Sequence, residues 1–528
     1  MNILFGSVTG TAENLARDAA RLAQERGHAV NLSELDEITM EDLCEMDDVL
    51  VVISTYGEGE MPFNAEVFWD EIEANKPVLE GLTYGVLALG DTAYEQFCQA
   101  GKEIDARFEE LGAVRRIDRV DCDLNYEKDA ANWIDRAIPK GEDAPATVSD
   151  AAVEPATKSW SRANPYHAKI LQNRLLSGHG SSKEIRHLAL DIADSGLSYE
   201  AGDCIAVVPR NPPELVEEML ARLQATADDL VDGYDLPLGE LLSTKFEIST
   251  PHEHFVRAVS SVIADEDLKD ACRGGREDLE DYLFGMDIID VLDVDPRLQV
   301  DAETLLSLLQ PLQHRAYSIA SSPKAYEEEI HLTVAALRWS YNKRVHTGVC
   351  STHLADRMTA GSDVAMFMVP NKRFRVPEDP KTPMIMVGPG TGIAPFLGFL
   401  QERKATGAAG HNWLFFGDRN AAHDDVYRDE LTAFERDGYL HRLDKAFSRD
   451  QKDKVYVQDR MKAASAEVYR QLENGAHFYL CGDAKNMAPD VERALREIIA
   501  EQSGRSAEDA ERYVSDMRRE GRYLKDVY

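Results

Sequence analysis

Near its N-terminus the chain reads Ser7-Val8-Thr9-Gly10-Thr11-Ala12-Glu13, hydroxyls and a glycine where an apolar segment gives way to a helical pattern. A turn of that kind aims backbone N–H groups and a helix N-terminus at an anion. It is not GxxxxGK and carries no Lys, so a phosphomonoester among neutral hydroxyls suits it better than the phosphates of a nucleotide. An ordinary N-capped helix is the plain alternative. Two further loops, Ser54-Thr55-Tyr56-Gly57-Glu58-Gly59 and Leu89-Gly90-Asp91-Thr92-Ala93-Tyr94, each set one Tyr beside glycines. Tyr56 and Tyr94 on neighbouring loops can sandwich a planar ring, although either alone reads as a turn aromatic.

A second group of residues lies beyond position 300. In Arg315-Ala316-Tyr317-Ser318 a guanidinium can fork onto a pyrophosphate while the nearby Tyr packs on a ring. Gly348-Val349-Cys350-Ser351-Thr352 is another glycine–hydroxyl turn leading into a helix. Val387-Gly388-Pro389-Gly390-Thr391-Gly392 follows an apolar strand pattern. Its spacing departs from GxGxxG, and no acid follows at the ribose position about 20 residues on. Ser448, Arg449, Lys454 and Tyr456 cluster two cations, a hydroxyl and an aromatic, a set suited to a 2′-phosphate and so to NADP. Cys481 ends a strand pattern, where a Cys is usually a small hydrophobe. Asp526-Val527-Tyr528 ends the sequence and alone reads as a frayed terminus.

These loops need strands to carry them. Residues 1–140 alternate short apolar runs (Met1–Phe5, Val30–Leu32, Val49–Ser54, Tyr84–Leu89, Val114–Ile117) with helical patterns from Ala12, Met40, Asn64 and Glu95, which predicts a doubly wound parallel sheet. Residues 141–160 are Pro-, Ala- and Ser-rich without periodicity and read as a linker. Residues 161–375 hold short β-rich pieces broken by Gly and Pro, the pattern of an antiparallel barrel, with an acidic, Leu-rich helical insertion at about 226–310. Strand–helix alternation returns over 376–528 as a second parallel α/β domain.

The 528 residues carry 58 Lys+Arg against 95 Asp+Glu, a net charge of −37, which argues against nucleic acid or an anionic membrane as partner. Residues 1–140 hold 30 acidic and 12 basic residues, and eight of those acids fall within 33–48 with no base among them. No stretch reaches the ~20 apolar residues of a membrane helix. The first residues run directly into a Gly-Ser turn, so no signal peptide or anchor is expected. Seven cysteines with no CxxC make a disulfide framework, a zinc site or an iron–sulfur cluster unexpected, and a reduced cytoplasmic setting is expected.

Taken in order, TGTAE, STYGEG, LGDTAYE, RxYS, GPGTGIAP, SRDQKDKVYVQ, YLCGD and the final DVY resemble the diflavin reductases, the family of cytochrome P450 reductase and the sulfite reductase flavoprotein. The resemblance implies a flavodoxin-like domain joined to a ferredoxin–NADP reductase-like module, holding FMN, FAD and NADPH. It implies that Ser7, Thr9, Gly10, Thr11 and Ala12 hold the FMN phosphate, and that Tyr56 and Tyr94, with Ser54, Thr55, Gly57, Gly90 and Asp91, frame the isoalloxazine. Asp121 falls near the ribityl chain. For FAD it implies Arg315, Gly348, Val349 and Ser351 on the pyrophosphate side with His187, Tyr317 stacked on the flavin, Ser318 near N5, Trp339 on the adenine and Tyr528 over the ring. For NADPH it implies Gly390, Thr391, Arg419, Ser448, Arg449, Lys454, Tyr456, Gln458 and Asp490. Ser318, Cys481 and Asp526 form the implied hydride-transfer group. Electrons would then pass to a haem protein docking on the acidic FMN domain. A sirohaem sulfite reductase subunit is favoured as acceptor and a cytochrome P450-type acceptor is the alternative. The extra N-terminal segment that assembles the sulfite reductase flavoprotein is not seen, which leaves oligomerisation open. A non-catalytic assembly subunit and a single-flavin enzyme with an acidic binding module are the readings from other classes.

Overall fold

The computed structural model describes residues 1–7, 10–56, 59–62, 64–92, 96–124, 126–139, 160–162 and 164–528. The expected sites Thr9, Gly57 and Tyr94, and nearly all of the expected linker, lie outside the described residues. Packing divides the chain into two compact units. The first holds residues 1–155 together with 252–262 and 266–282, and the second holds the remainder.

In the first unit the strands are β1 (Asn2–Gly6), β2 (Asn31–Glu34), β3 (Asp48–Ser54), β4 (Thr83–Leu89), β5 (Val114–Arg115) and β6 (Val120–Cys122). They form one parallel sheet ordered β2-β1-β3-β4-β5, with β6 also pairing β4. The strands are apolar throughout because both faces are covered. In β3, Val49, Val51 and Ile53 join the core under the helices that contribute Phe68, Ile72, Ile104 and Phe108. Leu50 and Val52 point the other way, toward Ala12, Ala16, Ala19, Ala23 and Trp133. The alanine stripe of the helix Thr11–Glu25 lets its backbone lie close to the sheet, which fixes the start of that helix just beyond β1. Two elements went unread in the sequence: β6 and the helix Glu127–Ala137. The helix expected from Glu95 begins at Gln99, after Cys98 adopts a left-handed conformation with φ 55°.

The second unit opens with β7 (Tyr166–Leu175), β8 (Glu184–Asp191), β9 (Cys204–Val207), β10 (Arg315–Ser318), β11 (Glu329–Ala336), β12 (Arg338–Tyr341), β13 (Arg344–Thr347) and β14 (Asp363–Val369). Six of them form an antiparallel sheet ordered β10-β9-β14-β7-β8-β11. A bridge between Ile319 and Leu332 joins its two edges, and β12 and β13 form a separate hairpin. Closure removes the exposed edges that an open sheet would leave. The helical segment between β9 and β10 begins with Pro213–Leu223, earlier than the expected 226, where Pro213 pre-sets the first helical turn.

The remaining strands, β15 (Met384–Val387), β16 (Asn412–Asp418), β17 (Arg442–Phe447), β18 (His477–Gly482) and β19 (Tyr523–Val527), form an all-parallel sheet ordered β17-β16-β15-β18-β19. The chain reverses its winding between β15 and β18, the point at which ligands of such sheets bind. The helix Ala394–Thr406 is buried almost all round, with Phe396 and Phe399 packed on Phe374 and Tyr479 at ring separations of 5.2–6.1 Å. Gly398 of this helix faces the barrel: a Cβ there would stand 2.9 Å from the Ser321 carbonyl oxygen. Among the described residues no helix is long and apolar enough to cross a membrane.

A tighter approach fixes the turn into β9. Gly202 has φ 105°, and a Cβ on it would sit 1.7 Å from the Phe374 carbonyl oxygen. Gly202→Ala is therefore expected to cost about 3 kcal/mol or more through combined backbone strain and clash, read as an earlier release of flavin fluorescence on heating. An unchanged melting profile would contradict this close packing.

Candidate functional site

The first site forms where β1, β3 and β4 end together. Ser7 N–H donates to Asn64 Oδ1 at 2.7 Å, and the Ser7 hydroxyl is buried with no partner. Gly10 has φ 80°, and a Cβ added to it would meet none of the described residues within 4 Å. Thr11 starts the helix and the fully buried Ala12 presses it on the sheet. Ser54 Oγ donates to the Gly6 carbonyl at 3.4 Å, Thr55 N–H donates to the Leu89 carbonyl at 2.8 Å, and Thr55 Oγ1 accepts from Ala100 N–H at 3.3 Å. The three loops are thereby tied into one rim. Tyr56 bridges to Glu60. Gly90 leaves no room for a side chain, since a Cβ would stand 2.7 Å from Cys98 N. Asp91 follows in the same loop, and Asp121 on β6 is paired with Arg119 at 2.6 Å. An orphaned buried hydroxyl and a helix N-terminus fit a phosphate. Asn64 orients this turn. The sequence marks it only as a helix start, because its partner is 57 residues away.

The acid-rich run at 33–48 divides between the two edges of the sheet: Glu34 ends β2 level with Phe5 of β1 at the rim edge, and Asp36 N–H donates to the Asn64 carbonyl at 3.1 Å. The strands are parallel and the loops follow Gly6 and Ser54, whereas Asp42, Glu45, Asp47 and Asp48 line a 330 Å³ cavity with Met1 and Asn2 at the opposite ends of β1 and β3. Strand direction separates them. A run of charges in sequence carries no information about which sheet edge it reaches.

In the second unit Arg315 is exposed and makes no ion pair among the described residues, while Tyr317 packs on the barrel core beside Cys350. Gly348 caps the turn Val349–Thr352. Ser351 Oγ accepts from Leu337 N–H at 3.2 Å and donates to the Gly348 carbonyl at 3.2 Å. Trp339 donates Nε1–H to the Gly285 carbonyl at 2.9 Å and stacks on His346 with planes 17° apart. Asp287 and Asp290 enclose His346, and Arg344 pairs with both carboxylates at 2.9 and 2.8 Å. An unpaired guanidinium and a glycine–hydroxyl turn fit a pyrophosphate. His187 is placed differently from a phosphate ligand: it is buried against His331 and 3.1 Å from the Tyr427 hydroxyl, and burial pushes it down to about 3, so it stays neutral.

Three strand ends then meet. Parallel pairing of β18 with β19 sets Cys481 opposite Asp526, and antiparallel pairing of β10 with β9 sets Ser318 opposite Cys204. Ser318 Oγ–H donates to Asp526 Oδ2 at 2.6 Å, and the Cys481 thiol donates to the same oxygen at 3.6 Å. Enclosure raises Asp526 above the usual carboxylate range, opposed by the hydrogen bonds from Ser318 and Cys481. Burial raises both the Cys481 and Cys204 thiols, so each is held protonated. Tyr528, two residues past Asp526, shares a 2.8 Å hydrogen bond between its phenol and Thr391 Oγ1.

Gly390 has φ 60° at the switch point, and a Cβ there would come within 3.8 Å of Lys183 Nζ and 3.9 Å of Asp418 Oδ2. Lys183 pairs with Asp418 at 2.5 Å, so an acid does stand at the end of the second strand of this sheet, contrary to the expectation drawn from spacing. It was missed because the intervening helix and loop are longer than the usual span. Beyond it, Ser448 N–H donates to the Asp418 carbonyl at 2.9 Å and Arg449 N–H to the Arg419 carbonyl at 2.8 Å, which seats both loops on one sheet edge. Arg419 also donates to Ser182 Oγ at 2.7 Å. Arg449, Lys454 and Tyr456 are exposed, and neither cation makes an ion pair among the described residues. In a chain of net charge −37 two uncommitted cations beside a hydroxyl fit a phosphate. Gln458 Nε2 donates to Asp490 Oδ2 at 3.3 Å on the flank of this cluster.

If the unpartnered Ser7 hydroxyl serves the phosphate, Ser7→Ala weakens FMN binding about five- to tenfold, the loss of one hydrogen bond, in titrations of flavin-stripped protein. Equal affinity would place the phosphate elsewhere.

Family models match three segments in order: a flavodoxin domain over residues 3–133, an FAD-binding domain over 158–353 and an oxidoreductase NAD-binding domain over 386–493. Along its full length the chain is 41% identical over 538 residues to the sulfite reductase NADPH flavoprotein alpha-component of Bacillus subtilis, covering 89% of that protein. It is 40% identical to those of Mannheimia succiniciproducens and Cronobacter sakazakii, over 539 and 543 residues and 90% of each. With all of its length aligned and its three domains in their order, the chain belongs to the family of NADPH-dependent diflavin reductases typified by these sulfite reductase flavoprotein alpha-components.

Proposed function

We propose that the chain supplies electrons to an assimilatory sulfite reductase, taking them from NADPH and passing them through FAD and FMN to a sirohaem protein. The observation that carries this reading is the convergence of Ser318 and Cys481 on one carboxylate oxygen of Asp526, with Tyr528 hydrogen-bonded to Thr391. When bound, FAD accepts a hydride and FMN hands on single electrons. The chain's own part is electrostatic and steric. With NADPH bound, an ionised Asp526, held in place by Ser318 and Cys481, would stabilise positive charge on a nicotinamide without reorganising. Tyr528, held by its hydrogen bond to Thr391, would have to give way for a nicotinamide to reach the flavin side of this group. Arg449 and Lys454 select the phosphorylated dinucleotide. A basic haem protein is steered by the acidic first unit, and docks at the loop edge that carries Ser7 and Tyr56 rather than at the acid-lined cavity on the far edge.

Acid extraction is expected to release FMN and FAD in equal amounts, and FAD alone would reduce the first unit to a binding module. Arg449→Ala should lower the preference for NADPH over NADH at least tenfold, the worth of a charge-assisted hydrogen bond. An unaltered preference would move the phosphate away from this cluster. Because enclosure raises Asp526, hydride transfer supported by its ionised form should fall as pH drops through a value above the ordinary carboxylate range. Asp526→Asn should slow flavin reduction and abolish that acid limb, while electron delivery from chemically reduced enzyme persists. A limb that survives in Asp526→Asn belongs to another group.

A further inference from the structure

We propose that Cys204 is a positioning residue for hydride transfer, its thiol holding the Ser318 hydroxyl in the orientation that gives its proton to Asp526. The inference rests on the reading of Ser318, Cys481 and Asp526 as the hydride-transfer group.

Cys204 and Ser318 are directly opposed in the β9–β10 ladder, and Cys204 Sγ–H points at Ser318 Oγ from 3.9 Å. A hydroxyl carries one proton and two acceptor sites and rotates freely about its C–O bond. A donor at one acceptor site fixes that rotation. Ser318 then has its proton left for Asp526, and the bond it makes there is 2.6 Å. The result is a line of donors, Cys204 to Ser318 to Asp526, met from the other side by Cys481. Cys204 and Ser318 are each 9% exposed and Cys481 is fully buried, so the thiol–hydroxyl contact is largely shielded from water. The charged groups around the line are few. Asp203 precedes Cys204 and is paired with Arg375 at 2.5 Å, and the Tyr528 phenol, close enough to feel the Asp526 charge, is hydrogen-bonded to Thr391. The plain reading of Cys204 is a small hydrophobe beside Ala206 and Val369. Alanine would replace it without kinetic effect if that were all.

The test compares Cys204→Ala, Cys204→Ser, Ser318→Ala and the double Cys204→Ala/Ser318→Ala variant as flavin-loaded full-length enzymes. Two readouts are taken. One is the stopped-flow rate of FAD reduction by NADPH. The other, made without NADPH, is the pH midpoint at which the infrared band of the protonated Asp526 carboxyl vanishes, assigned by its loss in Asp526→Asn. Cys204→Ala is expected to slow reduction about three- to tenfold, the scale of one net hydrogen bond, and to raise the midpoint, because the ionised carboxylate loses a firmly held donor. Cys204→Ser should restore both, and the double variant should be no slower than Ser318→Ala, since the effect passes through that hydroxyl. Should Cys204→Ala lower the melting temperature, Cys204→Val fills the site with an apolar side chain that carries no donor and must show the same two changes. Wild-type rate and midpoint in Cys204→Ala, or a double variant slower by the full product of the two single effects, would overturn the role of Cys204. Ser318→Ala with wild-type rate and midpoint would instead overturn the reading of the site itself.

Discussion

The 2.6 Å hydrogen bond from Ser318 to Asp526 joins residues 208 positions apart, and much of the second unit is organised around making it. Ser318 ends β10, whose antiparallel pairing with β9 fixes its height in the barrel. Asp526 sits on the last strand, whose parallel pairing with β18 fixes it beside Cys481. A one-residue slip in either pairing would turn one of these side chains to the opposite face of its sheet. The tight contacts at Gly202, Gly392 and Gly398 serve the same end. Gly392, whose Cβ would stand 2.1 Å from the Cys481 carbonyl, lets the GPGTG turn press against β18, and Gly398 lets the following helix press against the barrel. Close packing makes the barrel and the parallel sheet one block, so a carboxylate and a hydroxyl from different layers keep a fixed separation.

Charge is handled on a second principle. Most cations in this acidic chain are committed to ion pairs, including Arg344 with two buried carboxylates and Arg115 and Arg119 with Asp105. Against that background Arg315, Arg449 and Lys454 stand uncommitted at loop ends, where phosphates are expected. The rim of the first unit is built instead from neutral hydroxyls and backbone N–H groups at Ser7, Ser54 and Thr55.

Much of this was legible in the sequence because the signals are local. Strand–loop–helix alternation, glycines at loop ends and hydroxyl-rich turns depend on residues a few positions apart, and the loops they mark do gather at sheet edges. The misreadings share a cause. His187 has the right neighbours in sequence, yet the fold buries it neutral against His331 and Tyr427. The acids of 33–48 divide between the two edges of the sheet, because β2 delivers Glu34 to the rim and the helix Met40–Glu45 then carries the chain back to the start of β3. Asp418 escaped notice because loop length shifted it from the usual interval. Asn64 and Cys204 escaped because their partners, Ser7 and Ser318, are 57 and 114 positions away.

The sequence by itself determined the order of the three nucleotide-binding modules, the glycines their turns require and the uncommitted cations suited to phosphate. Those properties follow from residue type and short spacing, which backbone sterics and burial translate directly into turns, strands and helix starts. Tertiary structure alone decided which donors share the Asp526 carboxylate, that Cys204 completes the line behind Ser318, and how the acidic run divides between the two sheet edges. Register, strand direction and enclosure set those outcomes, and each arises only when segments distant in the chain pack together and exclude water.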